Sequence, residues 1–195
     1  MIVEIGTIQV KLPERCRFAL IADTHIYPAG QRSIPEPVLH LFVRSGVDRV
    51  IHAGDIACAA VLNQLATFAP VIAVRGNNDH GDFGRDLPHM VEMQIGSRLV
   101  RLIHGDGGRS ARTVAAEVAP GADCVVYGHS HIPKVERAGN AILVNPGSPN
   151  DRRWHPHFGV GFLEVTPDQV RPELILFTDP ADLDRVNPTW QSDQE

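Results

Sequence analysis

The sequence lacks the features of several specialised classes of protein. No run of 18 or more apolar residues occurs, so no membrane span is predicted. Residues 1–10 have neither a basic start nor a long apolar stretch, which argues against a signal peptide. Positive charge is scarce, since 18 Lys and Arg stand against 23 Asp and Glu and leave a net charge of −5. Nucleic acid is therefore not expected as a bulk partner.

Cysteine is also scarce. Cys16, Cys58 and Cys124 are too few and too widely spaced for a disulfide framework or a CxxC metal site. A reduced, cytoplasmic setting is expected. The length of 195 residues predicts one domain. We place it at residues 1–177, with 1–15 as a candidate added edge strand and 178–195 as a polar, loosely attached C-terminal tail.

Hydrophobic periodicity divides the chain into two parts. Up to about Gly128, short apolar runs alternate with helical stretches, which predicts parallel strands joined by helices. After Gly128, several β-type runs are separated by turn residues, which favours antiparallel strands. We therefore expect a mixed α/β fold in which two sheets pack together with helices outside.

Histidine is abundant, with ten in 195 residues, and much of it follows predicted strands. Five polar blocks stand at strand ends: Asp-Thr-His at 23–25, Gly-Asp at 54–55, Gly-Asn-Asn-Asp at 76–79, His-Gly-Asp at 104–106 and Gly-His-Ser-His at 128–131. Each block alone also suits an ordinary turn. Ligands of open α/β sheets bind at the carboxyl ends of strands, so the five together predict a single site.

The donor atoms of these blocks suit metal ions. Seven candidate ligands are present: Asp23, His25, Asp55, Asn77, His104, His129 and His131. Carboxylate, imidazole and amide oxygen together favour Mn²⁺, Fe²⁺, Zn²⁺ or Co²⁺. Seven ligands are too many for one tetrahedral ion, and they suit two divalent ions that share a bridging carboxylate. Such a pair attracts phosphate and supplies hydroxide near neutral pH.

The order of the blocks resembles the calcineurin-like metallophosphoesterase superfamily. The Asn-Pro-Gly-Ser sequence at 145–148 also resembles the motif that closes its small bacterial and archaeal phosphodiesterase subgroup. The resemblance implies a four-layer αββα sandwich, with two mixed sheets flanked by helices. It implies one metal site formed by Asp23, His25 and His131, a second formed by Asn77, His104 and His129, and Asp55 as the bridge between them.

One position departs from the family pattern. Many members carry His directly after the metal-binding Asn, where it contacts phosphate or protonates the leaving oxygen, whereas this chain has Asn78. An amide has no proton to transfer at neutral pH, so we expect slow hydrolysis of poor leaving groups or a proton from water or substrate. Asn78, Arg152 and Arg153 are the candidate substrate-binding residues, although the two arginines also suit a solvated loop.

The sequence thus predicts a metal-dependent phosphodiesterase acting on a small phosphoester. A hydroxide bridging two divalent ions would attack phosphorus, and the catalytic role is assigned to Asp55, Asn77, His104 and His129. Mn²⁺ is the expected activator in vitro, with Zn²⁺, Fe²⁺, Ni²⁺ or Co²⁺ as alternatives. A phosphomonoesterase or protein phosphatase, and a non-catalytic scaffold like the related eukaryotic retromer subunit, stay open. Homo-oligomerisation also stays open.

Overall fold

The computed structural model describes residues 6–190. Within this range the strands are β1 (Thr7–Leu12), β2 (Cys16–Ile21), β3 (Arg49–His52), β4 (Val71–Ala73), β5 (Met90–Ile95), β6 (Arg98–Ile103), β7 (Cys124–Val126), β8 (Lys134–Ala138), β9 (Ala141–Asn145), β10 (Phe158–Val165) and β11 (Val170–Phe177). The helices are α1 (Glu36–Arg44), α2 (Ala59–Ala66), α3 (Gly81–Arg85), α4 (Ala111–Glu117) and a 3₁₀ helix at Pro180–Arg185.

The strands form two mixed sheets. The five-stranded sheet has the order β11-β10-β2-β3-β4, in which β2, β3 and β4 run parallel and β10 and β11 are antiparallel. The six-stranded sheet has the order β1-β5-β6-β7-β9-β8, with β6, β7 and β9 parallel. The predicted mixed α/β architecture is confirmed.

Alternation along β2 shows how the layers are built. Phe18 and Leu20 point between the two sheets, where they belong to the same buried cluster as Met93 of the facing sheet. Ala19 and Ile21 point the other way, into the cluster that α1 and α2 cover. Because successive side chains of a strand point to opposite faces, one apolar run supplies both layers. Helix α4 covers the outer face of the six-stranded sheet, which completes four layers.

Helix α1 illustrates why these segments are helical. A proline stands in its first turn, Glu36 lies at its amino end and Arg44 at its carboxyl end, which all favour a helix in that direction. Leu41 and Phe42 are buried on its inner face, and each stabilises the fold by about 1.5–3 kcal/mol. The helix ends before Gly46, which has a left-handed φ of 62°.

Strand β1 lies at the edge of the six-stranded sheet, parallel to β5. Its side chains are mostly exposed or half-buried, so the residues carry little of the apolar alternation that marks a strand in the sequence. Residues 1–5, the remainder of the segment before it, lie outside the described residues.

The C-terminal segment differs from the loose tail that we expected. Leu183 of the 3₁₀ helix is fully buried, and Trp190 is 2% exposed. The Trp190 indole packs edge-on against Phe162 and donates to the carbonyl of Ser45. The polar composition of this segment concealed two apolar anchors, which fix it to α1 and the five-stranded sheet up to residue 190.

Among residues 6–190, no helix has the length and apolar character needed to cross a membrane.

Candidate metal centre

The polar blocks follow the parallel strands of both sheets. Those at 23–25, 54–55 and 76–79 follow β2, β3 and β4, whereas those at 104–106 and 128–131 follow β6 and β7. Hydrogen bonds join the two sets: the His129 amide donates to Asp23 Oδ1 over 3.1 Å, and His104 Nδ1 contacts the Ala53 carbonyl over 2.8 Å. Because the sheets pack face to face, their strand ends meet at one edge, as the sequence predicts.

One cluster at this edge consists of Asp23, His25 and His131. Each residue offers a ligand atom within 4.8 Å of the other two. The Nε2 atoms of His25 and His131 lie 3.1 Å apart, and His131 Nε2 lies 3.6 Å from Asp23 Oδ1. All three residues are buried, and Asp23 Oδ2 has no hydrogen-bond partner within the described part of the chain. A buried carboxylate oxygen without a partner fits a bound cation, so this donor set could hold a metal ion.

A second cluster is formed by Asp55, His104 and His129, again with ligand atoms within 4.8 Å of one another. The Asn77 Oδ1 atom lies 3.1 Å from His104 Nε2 and 3.0 Å from His129 Nδ1. His104 is buried, whereas Asn77 is exposed. Carboxylate, amide and imidazole donors thus converge on a point that is open to solvent on one side.

Asp55 lies between the two clusters. Its Oδ2 atom is 3.5 Å from His25 Nε2 and 3.4 Å from His104 Nε2. One carboxylate oxygen therefore contacts a histidine of each cluster, which is the arrangement that a bridging ligand requires.

Backbone carbonyls orient two of the histidines. Because a carbonyl only accepts, the Nδ1 atom of His104 must donate to Ala53 and that of His131 must donate to Asp151. In the neutral rings, Nε2 then carries the lone pair and faces the cluster. These contacts could not be predicted from the sequence, because every residue carries the same backbone acceptor.

The backbone at this edge is strained. Left-handed φ angles occur at five of the seven candidate ligands: Asp23 (53°), His25 (46°), Asp55 (55°), His129 (66°) and His131 (58°). Such a conformation costs a residue other than glycine about 1–3 kcal/mol. Backbone hydrogen bonds between the loops hold it in place, such as the one from the His25 amide to the Asp55 carbonyl over 2.9 Å. Strain concentrated in this way is typical of functional sites.

At two positions of the motifs, loops approach each other so closely that glycine is required. A Cβ atom at Gly76 would lie 2.2 Å from the Asp55 amide nitrogen, and one at Gly128 would lie 2.7 Å from the Ala53 carbonyl oxygen. Any side chain at either position would push the loops apart. The glycines of the Gly-Asn and Gly-His blocks therefore allow loops from different strands to touch.

Burial sets the protonation of the first cluster. It raises the pKa of Asp23 to about 8 and lowers that of His131 to about 4. Burial also lowers the pKa of His25 and of His129, and the positive charge of Arg153 adds to this effect in all three histidines. Neutral imidazoles are the form that binds metal ions.

The Asp55–His104 pair behaves differently, because contact within the pair opposes burial. Burial acts to raise the pKa of Asp55, but the hydrogen bonds of His104 and Asn78 outweigh it and hold that pKa well below its usual range. Burial acts to lower the pKa of His104, but the hydrogen bond to Asp55 and the charges of Asp23 and Asp55 raise it to about 9. At neutral pH the Asp55 carboxylate is therefore ionised and lies beside a protonated His104, whose Nε2 must lose its proton before it can bind a metal ion.

Asp79 holds the loops that present the ligands. Its Oδ1 atom accepts from the amides of Ile56 (2.8 Å) and Ala57 (2.7 Å), and its Oδ2 atom accepts from the amide of Gly76 (2.8 Å). In the sequence, the block that contains this residue also suits an ordinary turn. The structure shows a fully buried carboxylate that ties the Asp55 loop to the Asn77 loop.

The Asn-Pro-Gly-Ser turn lies behind the metal centre. The Asn145 side chain donates to the Gly128 carbonyl over 2.7 Å, and the Ser148 hydroxyl donates to the Asp23 carbonyl over 2.8 Å. Both bonds support ligand-bearing loops. A positioning role for both side chains follows.

The three candidate substrate contacts lie at different places. Asn78 is half-buried, and its amide donates to Asp55 Oδ2 over 2.7 Å. Arg152 donates to the His155 carbonyl and lies over the Phe158 ring, so its guanidinium is engaged within its own loop. Arg153 is exposed, and its charge acts on the first cluster. Their role as substrate contacts stays a prediction.

The chain is similar to several known proteins. Residues 16–168 match the sequence model of the family described as the calcineurin-like phosphoesterase superfamily domain. The chain is 37% identical to a probable metallophosphoesterase of Methanothermobacter thermautotrophicus over 161 residues, which cover 80% of this chain and 90% of that protein. It is 30% identical to phosphodiesterase YfcE of Escherichia coli over 142 residues, which cover 61% and 73%.

Among solved structures, a single-site variant of Vps29 from Entamoeba histolytica aligns with a TM-score of 0.65 and 22% identity. The alignment covers 83% of this chain and 99% of that one. At this identity the likeness establishes a shared fold.

Proposed function

Since the chain belongs to the calcineurin-like phosphoesterase superfamily, we propose that it is a metal-dependent phosphodiesterase with two divalent ions. The observation that carries this proposal is the position of Asp55, whose Oδ2 contacts His25 at 3.5 Å and His104 at 3.4 Å. A single carboxylate shared by two donor clusters suits two ions better than one.

The proposed ligands divide as the clusters do. Asp23, His25 and His131 would hold one ion, Asn77, His104 and His129 would hold the other, and Asp55 would join both. When bound, such a pair lowers the pKa of a coordinated water molecule towards neutrality and offsets charge on the phosphoryl oxygens. The nitrogen and oxygen donors favour Mn²⁺ as activator in vitro, with Zn²⁺, Fe²⁺, Ni²⁺ or Co²⁺ as alternatives.

The remaining residues prepare the site for a phosphodiester. Asp79 and Ser148 fix the ligand-bearing loops, so the ligands are held in place before substrate binds. The exposed guanidinium of Arg153 supplies positive charge beside the first cluster, which suits an anionic phosphate. The amide of Asn78 cannot donate a proton to a leaving oxygen, so we propose preference for diesters whose leaving group needs no general acid.

The test is hydrolysis of bis(p-nitrophenyl) phosphate beside p-nitrophenyl phosphate. Metal-stripped protein is refilled with Mn²⁺, Zn²⁺, Ni²⁺ or Mg²⁺, and metal content is measured in parallel. We expect metal-dependent turnover that favours the diester and falls at least about 100-fold in Asp55→Ala. Asp86→Ala removes an exposed carboxylate and serves as the matched control. Equal activity in wild type and Asp55→Ala would refute the assignment.

Two alternatives are separated by the same assay. Preferential turnover of the monoester would identify a phosphomonoesterase or a protein phosphatase. Bound metal without turnover of either ester would favour a non-catalytic scaffold, an alternative that the likeness to Vps29 fits. The phosphodiesterase name of the Escherichia coli relative supports the first proposal over both.

A further inference from the structure

A cavity of about 180 Å³ lies beside the proposed metal centre. Its wall includes Ser130 and Ile132, which belong to or follow the Gly-His-Ser-His block, and Arg153, Trp154 and Pro156 from the loop after the Asn-Pro-Gly-Ser turn. We name these five residues the ring pocket. The loop that carries Arg153 and Trp154 contacts the first cluster, since His131 donates to the carbonyl of Asp151, so the ring pocket adjoins the place where a phosphate would bind.

Trp154 is the unusual member of the ring pocket. Its exposed fraction is 96%, whereas Trp190, the other tryptophan, is 2% exposed. Ile132 beside it is 48% exposed. Trp154 therefore contributes nothing to the core and lies next to an exposed aliphatic side chain, beside the proposed metal centre. Exposed apolar side chains that are grouped in this way mark a binding surface more often than a single scattered apolar residue does.

Size and charge limit what the ring pocket can bind. Sites that enclose a whole drug-sized ligand have volumes of about 300–1,000 Å³, so this cavity accepts one planar group of a larger molecule. Arg153 supplies positive charge within the ring pocket, two residues from Asp151, whose carbonyl accepts a hydrogen bond from His131 of the first cluster. A suitable ligand therefore carries a flat ring on one side and a phosphate on the other.

We propose that the ring pocket binds the base of a nucleoside phosphodiester, with the indole of Trp154 stacked on the base. A nucleobase has the flat face that stacking requires and is joined through its sugar to the phosphate. This inference deepens the proposed function and rests on it, since it takes the phosphate to lie at the metal centre. Trp154 then determines specificity and takes no part in the chemical step.

A binding measurement tests the proposal without relying on turnover. The full chain loaded with Mn²⁺ is titrated calorimetrically with adenosine 5′-monophosphate and with ribose 5-phosphate, in which a hydroxyl group replaces the base. We expect the nucleotide to bind about tenfold more tightly, as stacking on one aromatic side chain predicts. In Trp154→Ala this advantage should vanish, and in Trp154→Phe most of it should be kept. Phe68→Ala is the matched control. This exposed ring precedes β4, so it lies at the opposite end of that strand from the candidate ligand Asn77.

The outcomes separate this inference from the proposed function. Equal affinity for the two ligands, or a higher affinity for the nucleotide that survives in Trp154→Ala, would refute base binding in the ring pocket and leave the proposed diester hydrolysis unaffected. An advantage that depends on Trp154, in a protein that hydrolyses no ester, would support the ring pocket and remove the proposed activity. If Trp154→Ala instead changes the sedimentation coefficient and the base brings no advantage, the face is an interface between copies, which also overturns the proposal.

Discussion

Asn78 donates hydrogen bonds to Asp55 from both its backbone and its side chain. Its amide N–H donates to Oδ1 over 2.7 Å, and its side-chain Nδ2 donates to Oδ2 over 2.7 Å. Because Asp55 also lies between the two donor clusters, the residue that replaces the histidine of many family members contacts the central carboxylate.

Substituting Asn78→His tests whether this position limits the protonation of poor leaving groups. A general acid is worth about 10²–10⁴-fold, but the substitution also removes the side-chain bond to Asp55. We expect the rate on glycerophosphoethanolamine, an alkyl diester, to rise at least about tenfold relative to the rate on bis(p-nitrophenyl) phosphate. Phosphorus NMR measures the first rate and absorbance the second. Asn78→Ala loses the same bond without adding an acid, and an unchanged ratio in Asn78→His would contradict this expectation.

Removing the Asp79 carboxylate should destabilise the protein. Asp79→Ala leaves the amides of Ile56, Ala57 and Gly76 without their acceptor at a buried position. We expect a loss of about 3 kcal/mol in the free energy of unfolding, since hydrogen bonds to a charged group are each worth about 1.5–3 kcal/mol and burial of the charge offsets part of that gain. Urea denaturation of metal-free protein measures it. The free energy of unfolding of Asp86→Ala should lie within about 0.5 kcal/mol of that of wild type. An equal loss in both variants would show that the hydrogen bonds of Asp79 do not stabilise the protein.

Acid should destabilise the metal-free protein in part through His52. Burial lowers the pKa of this histidine to about 3, whereas the unfolded chain has a value near 6.5. The unfolded state therefore binds the proton first, so the stabilisation is present above pH 6.5 and is lost as the pH falls towards 3. Between pH 7 and 5, wild type should lose about 2 kcal/mol more than His52→Gln.

The free energy of unfolding is measured by urea denaturation of EDTA-treated protein at both pH values. Because wild type and His52→Gln share all other titrating groups, the contributions of those groups cancel in the difference between the two proteins. His40→Gln removes an exposed histidine and should follow wild type at both pH values. A difference between wild type and His52→Gln that is independent of pH would rule out this linkage.

The C-terminal segment should contribute measurably to stability. Trp190→Ala removes a buried indole that contacts Phe162 and donates to Ser45, so we expect a loss of about 3 kcal/mol. Trp154→Ala offers a control with the same chemical change at a 96% exposed position. Denaturation curves for the two variants should differ clearly. Equal midpoints would mean that the segment is as loosely attached as its composition suggests.

Local patterns in the sequence were enough to find the strands and the polar blocks after them. The apolar run before Asp23 is short and continuous, and the one before His104 is interrupted by Arg101; both are followed by polar residues, so both could be recognised without any tertiary contact. Strand β1 and the segment around Trp190 were harder, because their stability comes from pairing with β5 and from packing on α1. Isolated anchors of this kind leave no periodic signal.

Roles that depend on another part of the chain could not be read from the sequence. Asp79 looks like a turn residue until Ile56 and Ala57 are placed beside it. The Asp151 carbonyl orients His131 through a backbone atom that any residue would supply. No sequence pattern predicts whether Trp154 is buried or exposed, and its 96% exposure is seen in the structure.

The sequence was sufficient to identify the chemistry of the site, namely which carboxylates, imidazoles and amides follow the strands. It could do so because a strand and the residues after it are adjacent in the chain. The family resemblance implied a division of those donors into two clusters with Asp55 as the bridge, but the contacts that produce it, from Asp55 to both His25 and His104, are seen in the folded chain. That division depends on how two sheets pack and how loops bend into left-handed conformations, and both are fixed by contacts between residues far apart in the chain.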